Sequence, residues 1–166
     1  MQLLHYRQFG VREAEIPLKE ANPATRARKN SFGWLVTTLG NRMDAQMREK
    51  LAVLGLDLPS FGTLMTLFEA EGMTQTELSA AVGVQNYATT RTLDKLEKQE
   101  LIERRASPQS RRSYQIFLTK KGQALRGALI AIVANVNKGM LQDLEPAKRK
   151  QLVTWLQEIE VATRGE

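Results

Sequence analysis

The 166-residue chain contains no cysteine and a single histidine, His5. Without thiols there is no disulfide framework, no thiolate nucleophile and no cysteine redox switch. One histidine excludes a multi-histidine metal site and, standing alone near the N-terminus, cannot complete a Ser/His/Asp series. No glycine-rich phosphate loop follows a strand. Long apolar runs are also missing. The longest, Ala128 to Ala134, is seven residues, against the roughly 20 a bilayer requires. The opening MQLLHYRQFG is interrupted by His5, Tyr6, Arg7 and Gln8 and so lacks the apolar core of a signal peptide. These absences point to a cytosolic protein that is not an enzyme, holds no cofactor or metal and does not engage a membrane.

What remains is enough to fold. A hydrophobic fraction of 42% and a charged fraction of 25% suit a packed domain rather than a disordered chain. The net charge is +6, and its distribution is informative. Between Gly83 and Lys121 stand nine Lys/Arg (Arg91, Lys95, Lys98, Arg104, Arg105, Arg111, Arg112, Lys120, Lys121) and only four acids (Asp94, Glu97, Glu100, Glu103), a local excess of +5. Clustered positive charge is the footprint of a phosphate-binding surface, although charge alone leaves open an ordinary solvated basic face.

Periodicity organises the chain. Residues 1 to about 30 hold Pro17, Pro23 and the basic group Arg26, Arg28, Lys29, and read as an arm with at most a short helical turn. Phe32, Leu35, Val36, Leu39, Met43 and Met47 form a 3.6-residue stripe that predicts an amphipathic helix to Leu51. A second helix is expected from Pro59, burying Phe61, Leu64, Leu67 and Phe68 before Gly72. Thr74-Gln75-Thr76-Glu77 then fits a capping box opening a third helix with Leu78, Ala81 and Val82 inward, and Gly83 can take the left-handed conformation that ends it. Val84 is expected to pack as a plug before the next helix, whose inward stripe is Thr89, Leu93 and Leu96. Helix, short turn, helix is a recurrent unit. Leu101 to Ala106 and Ser113 to Leu118 then read as strands, joined through a type I turn at Ser107-Pro108-Gln109-Ser110 into a hairpin, or wing, with Arg111 and Arg112 at its tip. Thr119 caps a fifth helix carrying Leu125, Leu129, Ile132, Val133, Val136 and Met140. Pro146 opens a last one on which Leu152, Trp155, Leu156 and Ile159 share a face.

From Phe61 to Gly122, the series TQTELSAAVGV, then TRTLDKLEKQ with L-IERR, then RRSYQIFLTKKG resembles the core of MarR-type transcription regulators. The likeness extends from Phe32 to Met140, and in kind to the C-terminal helix. It implies a mostly α fold with a small β-hairpin wing: a winged helix-turn-helix carried on N- and C-terminal dimerisation helices. The corresponding division is an N-terminal arm at 1–31, a dimerisation helix at 32–58, the winged helix-turn-helix at 59–118 and C-terminal dimerisation helices at 119–166. The resemblance further implies a homodimer on double-stranded DNA, often a repressor that responds to a small organic effector. Three positions depart from the family pattern. Ser110 stands where an Asp-x-Arg element orders the wing arginine, and Ser107 where an Asp is frequent, which predicts looser wing geometry. Glu100 replaces a glycine, and Gln85 and Tyr87 replace small hydroxyl residues.

Within such a fold, Gln85, Asn86, Tyr87, Thr90 and Arg91 are the residues expected against DNA. Asn and Arg can pair with adenine and guanine edges, whereas Tyr and Thr can bind phosphate or touch a thymine methyl. The alternative is an ordinary polar helix face. Arg111 and Arg112 are expected at the minor groove or its phosphates, the alternative being edge charge that deters aggregation, and Arg105 is a further candidate for DNA contact, the alternative being solvated charge. Trp34, Met43, Phe61 and Met65 are candidates to line an effector pocket, or simply core. A winged-helix protein-interaction module and a small-molecule carrier without specific DNA binding are the competing functional readings.

Overall fold

The structure, a computed structural model, describes residues 22–107 and 113–163 together with the backbone of 110–112. The described residues fall into two compact units, divided between Arg42 and Met43. In the first, Asn22 caps helix α1 (Pro23–Lys29) by accepting a 2.8 Å hydrogen bond from Thr25 N, with Pro23 in the first turn and Arg26, Arg28 and Lys29 in the last, as the helix dipole favours. The expected arm thus contains a two-turn helix; its remainder, with Pro17 and His5, lies outside the described residues. Helix α2 (Phe32–Ala52) begins in this unit and displays Phe32, Leu35, Val36 and Leu39 to solvent. The stripe read from the sequence is real, yet within one chain only its continuation in the second unit, Met47 and Leu51, is buried.

In the second unit, Asp57 caps α3 (Leu58–Glu69), accepting from Ser60 N at 2.9 Å. Strand β1 (Met73–Thr74) leads into α4 (Gln75–Val82), and Gly83, at φ 73°, turns the chain into α5 (Asn86–Lys98). The hairpin of β2 (Ile102–Ser107) and β3 (Ser110–Leu118) follows, its register pairing Ile102 with Leu118 and Arg104 with Ile116. The antiparallel sheet has the order β1-β3-β2. Strand β1, which the sequence reading lacks, is held by pairing Met73 with Ile116. The fifth helix is two pieces, α6 (Lys120–Ala124) and α7 (Arg126–Leu141), before α8 (Pro146–Thr163).

One core joins these elements: Leu51, Leu64, Leu67, Leu78, Leu93, Leu96, Ile102, Ile116, Leu129 and Val136 are sealed from solvent. Two expectations fail in detail. Val84 is 44% exposed, so it is no plug, because the left-handed Gly83 swings it outward onto the lip of a cleft beside Leu58 and Val82. Ala81 is exposed and Ser79 is buried in its place. Residues 108 and 109 of the proposed turn lie outside the described residues.

Candidate nucleic-acid interface

The capping box starts the site. Thr74 N donates to Glu77 Oε2 at 2.7 Å while Glu77 N donates to Thr74 Oγ1 at 3.3 Å, fixing where α4 begins. The Thr74 backbone N–H and, next, its hydroxyl hold the Glu77 carboxyl below the usual carboxylate range. Inside, Ser79 Oγ lies 2.8 Å from both the Gln75 carbonyl oxygen and Thr89 Oγ1. This buried hydroxyl pair sets the register of α5 on α4, and a buried polar pair is costly to split. At the surface, Gln75 Nε2 donates to Thr90 Oγ1 at 2.7 Å and lies 3.3 Å from the Asn86 carbonyl oxygen.

With Thr89, Leu93 and Leu96 buried, helical geometry turns Gln85, Asn86, Tyr87, Thr90 and Arg91 outward, and all five are exposed. They form one polar surface at the N-terminal half of α5. Tyr87 is 67% exposed. Among the described residues, no ion pair involves Arg91 or Lys98. Other cations of the basic segment are engaged internally. Lys95 Nζ sits 2.7 Å from Asp57 Oδ2, linking α5 to the cap of α3. Arg104 reaches Asp94 at 2.7 Å and also Glu97, linking the hairpin to α5. Lys121 donates to the Gln99 carbonyl at 2.8 Å.

Because Arg104 faces α5, strand alternation turns Glu103, Arg105 and Phe117 to the opposite side of the sheet. There Arg105 pairs with Glu103 and lies over the Phe117 ring, 4.2 Å from its centroid. Arg105 is therefore not brought to the α5 surface. Arg111 and Arg112 are on β3, but their side chains lie outside the described residues, and so does any effect of Ser110. Tyr114, 56% exposed and opposite Ala106, shares the face of Ile116 and Arg104. With Thr74, Gln75, Thr76, Asn86 and Arg104 it lines a cleft of about 320 Å³ between the hairpin and the starts of α4 and α5. Gln75 and Tyr114 are the site residues sequence reasoning missed. Only Tyr114 left a signal, its parity with Ile116 and Leu118.

A second cleft, about 510 Å³, runs under the outer face of α5. Leu58, Pro59, Val82 and Val84 give it apolar walls, and Arg48 and Arg91 also line it. None of Trp34, Met43, Phe61 and Met65 does. Trp34 lies in the first unit beneath the Arg28 guanidinium, 5.3 Å from its ring centroid, and Phe61 and Met65 pack against the core. Among the described residues no group of three His, Cys, Asp or Glu could hold a metal ion.

The comparisons agree with this architecture. A family model described as MarR family matches residues 56–114. An HTH-type transcriptional repressor of Mycobacterium tuberculosis, Rv2887, is 29% identical over 128 residues, covering 77% of this chain and 92% of that protein. The structure of the same M. tuberculosis protein in complex with salicylic acid superposes with a TM-score of 0.66, covering 78% of this chain and 96% of that one. The transcriptional repressor CouR, bound to a 23-mer DNA duplex, gives a TM-score of 0.72 at 27% identity, covering 81% and 95%. A three-residue turn between α4 and α5 and a hairpin tied to α5 through Arg104 lie within the stretch, residues 56–114, that matches the MarR family model, and over that core the chain is similar to MarR-type transcription regulators.

Proposed function

We propose that the chain is a homodimeric, sequence-specific DNA-binding transcription regulator, a repressor acting in the cytoplasm on a near-palindromic operator and released by a small organic effector. The observation that carries this is the outward surface of α5, where Gln85, Asn86, Tyr87, Thr90 and Arg91 stand together over a buried Thr89, Leu93 and Leu96. Such a face has amides and a guanidinium suited to base edges and phosphates. In this reading residues 59–118 are the DNA-binding domain, 32–58 and 119–166 supply dimerisation helices, and 1–31 is an arm. Two copies would set their α5 helices one DNA turn, ~34 Å, apart and occlude a promoter. Arg111 and Arg112, on β3, act at the minor groove. The named relatives, one of them on DNA, support the same reading, and as regulators they favour binding over catalysis.

The effector site best supported is the cleft beneath α5. Apolar walls with arginines at their edge suit a small aromatic carboxylate, the class of the salicylic acid bound by the M. tuberculosis relative. Arg91 and Tyr87 belong to both the cleft and the outward face, so ligand and duplex compete for the same side chains. A ligand shifts such an equilibrium only by its differential affinity for the two states.

Selection of bound sequences from random DNA by the purified protein tests the proposal. A recovered site with two-fold symmetry and half-sites about one turn apart is the expected result. An Arg91→Ala, Arg112→Ala variant should then lose most affinity for it. Recovery of no preferred sequence, with the parent failing to retard any duplex, would favour the interaction-module reading.

A further inference from the structure

We infer that Thr90 reads the 5-methyl group of a thymine in each half-site, and that Gln75 is the positioning residue that holds its hydroxyl back from the duplex. The inference rests on the DNA-binding reading above and deepens it by assigning a base class to one side chain. It starts from the hydrogens of a single hydroxyl. Thr90 Oγ1 donates its one hydrogen to the Asn86 carbonyl oxygen one turn back, at 3.0 Å. The same oxygen accepts from Gln75 Nε2 at 2.7 Å. The amide orientation is not arbitrary, since the group 3.3 Å from the Asn86 carbonyl must be the NH₂: a carbonyl oxygen only accepts. Thr90 therefore has no hydrogen to donate to a phosphate or to a base acceptor, although it is exposed beside Arg91 on the outward face of α5. With its oxygen drawn back toward α4 and its own helix, the group left to present is the Cγ2 methyl. An apolar group at the major groove pairs with the thymine methyl, the one apolar feature of the base edges.

Gln75 comes from the other helix of the pair, at the first position of α4, whose start is fixed by the Thr74 and Glu77 cap. Its amide fills one of the two lone pairs of a hydroxyl whose hydrogen is already given to the Asn86 carbonyl, which holds the oxygen back and favours packing over hydrogen bonding at the outward face.

The test uses the operator selected by the full-length protein, with each thymine in turn replaced by uracil, which pairs identically and lacks only the methyl. One position per half-site should weaken binding by about fourfold, roughly the worth of one buried carbon. Thr90→Val keeps the methyl and should keep the uracil penalty. Thr90→Ser keeps the hydroxyl and should bind thymine and uracil operators equally. Gln75→Leu removes the amide that holds the hydroxyl back and should shrink the penalty. A parent protein indifferent to uracil at every position, or a Thr90→Val variant that binds tenfold more weakly while Thr90→Ser binds as the parent does, would overturn the inference and leave DNA binding standing. A parent that selects no DNA at all would overturn both.

Discussion

A Cβ added to Gly122 would stand 2.0 Å from the carbonyl oxygen of Leu101, which is backbone and cannot swing aside. Thr119 N donates to that same carbonyl, so Gly122 lies where the hairpin closes onto α6. Gly122→Ala should therefore cost about 3 kcal/mol, the upper end of ordinary overpacking, measured as a lower urea midpoint with unchanged slope. Glu100 presents the opposite case. It has φ 59°, in the left-handed region, and it ends α5 where Leu101 must turn into the sheet. The glycine that the resemblance leads one to expect is absent here, and the backbone is strained. Glu100→Gly should stabilise by about 1 kcal/mol and raise Tm by roughly 2–4 °C for a chain of this size. The exposed ion pair with Lys121, at 3.5 Å, is too solvated to reverse that sign.

Between elements, the link most open to pH is Asp57 with Lys95. Partial burial pushes the Asp57 carboxyl up, but hydrogen bonds from Lys95 and Ser60 more than offset it and hold the group down to about 2, against an ordinary 3.8. A depressed folded-state value means stability that is complete above about 4 and lost as pH falls toward 2, because the unfolded chain takes up the proton first. Melting curves between pH 5 and 2 should show this loss, and Asp57→Asn should flatten that part of the profile while lowering Tm at pH 7. How far this arrangement was legible depends on range. The Thr74 cap, the Gly83 turn and the Thr89, Leu93, Leu96 stripe are written in contiguous residues, and the outward set Gln85 to Arg91 follows from that stripe. By contrast, β1 is two residues whose pairing with Ile116 is settled some forty positions away, so no local pattern announces it. The pairing of Arg104 with Asp94 and Glu97, which removes it from the pool of cations available to a partner, likewise depends on how the hairpin docks. Local charge counting could not separate it from Arg91. Val84 shows the converse error: an apolar side chain next to a helix is not inward when the preceding glycine is left-handed.

For the molecule as a whole, the decisive feature is apolar surface that one chain does not cover. Helix α8 buries no residue, and Val153, Trp155, Leu156, Ile159 and Val161 are each more than 40% exposed. The stretch Lys120–Leu141 has the length and hydropathy of a membrane span with only 11% of its window buried, but Leu129 and Val136 on it belong to the domain core. Its remaining apolar face, like that of α8, calls for a protein partner. Patches of this extent on a soluble domain mark association surfaces, and a second copy of the chain is the occupant the proposed function requires. Trp155→Glu with Ile159→Glu should leave α3–α5 and the sheet folded, since neither residue is in the core. The variant should sediment as a monomer at micromolar concentration where the parent sediments as a dimer. The consequence for DNA follows from counting phosphates. If the dimer neutralises roughly 6 to 10, log affinity should fall against log salt with a slope on the order of −5 to −9. A monomer engages one half-site, so its slope should halve as its affinity collapses. A double variant that stays dimeric, or a monomer that keeps the parent's slope, would show that α8 is not where the two DNA-reading halves are joined.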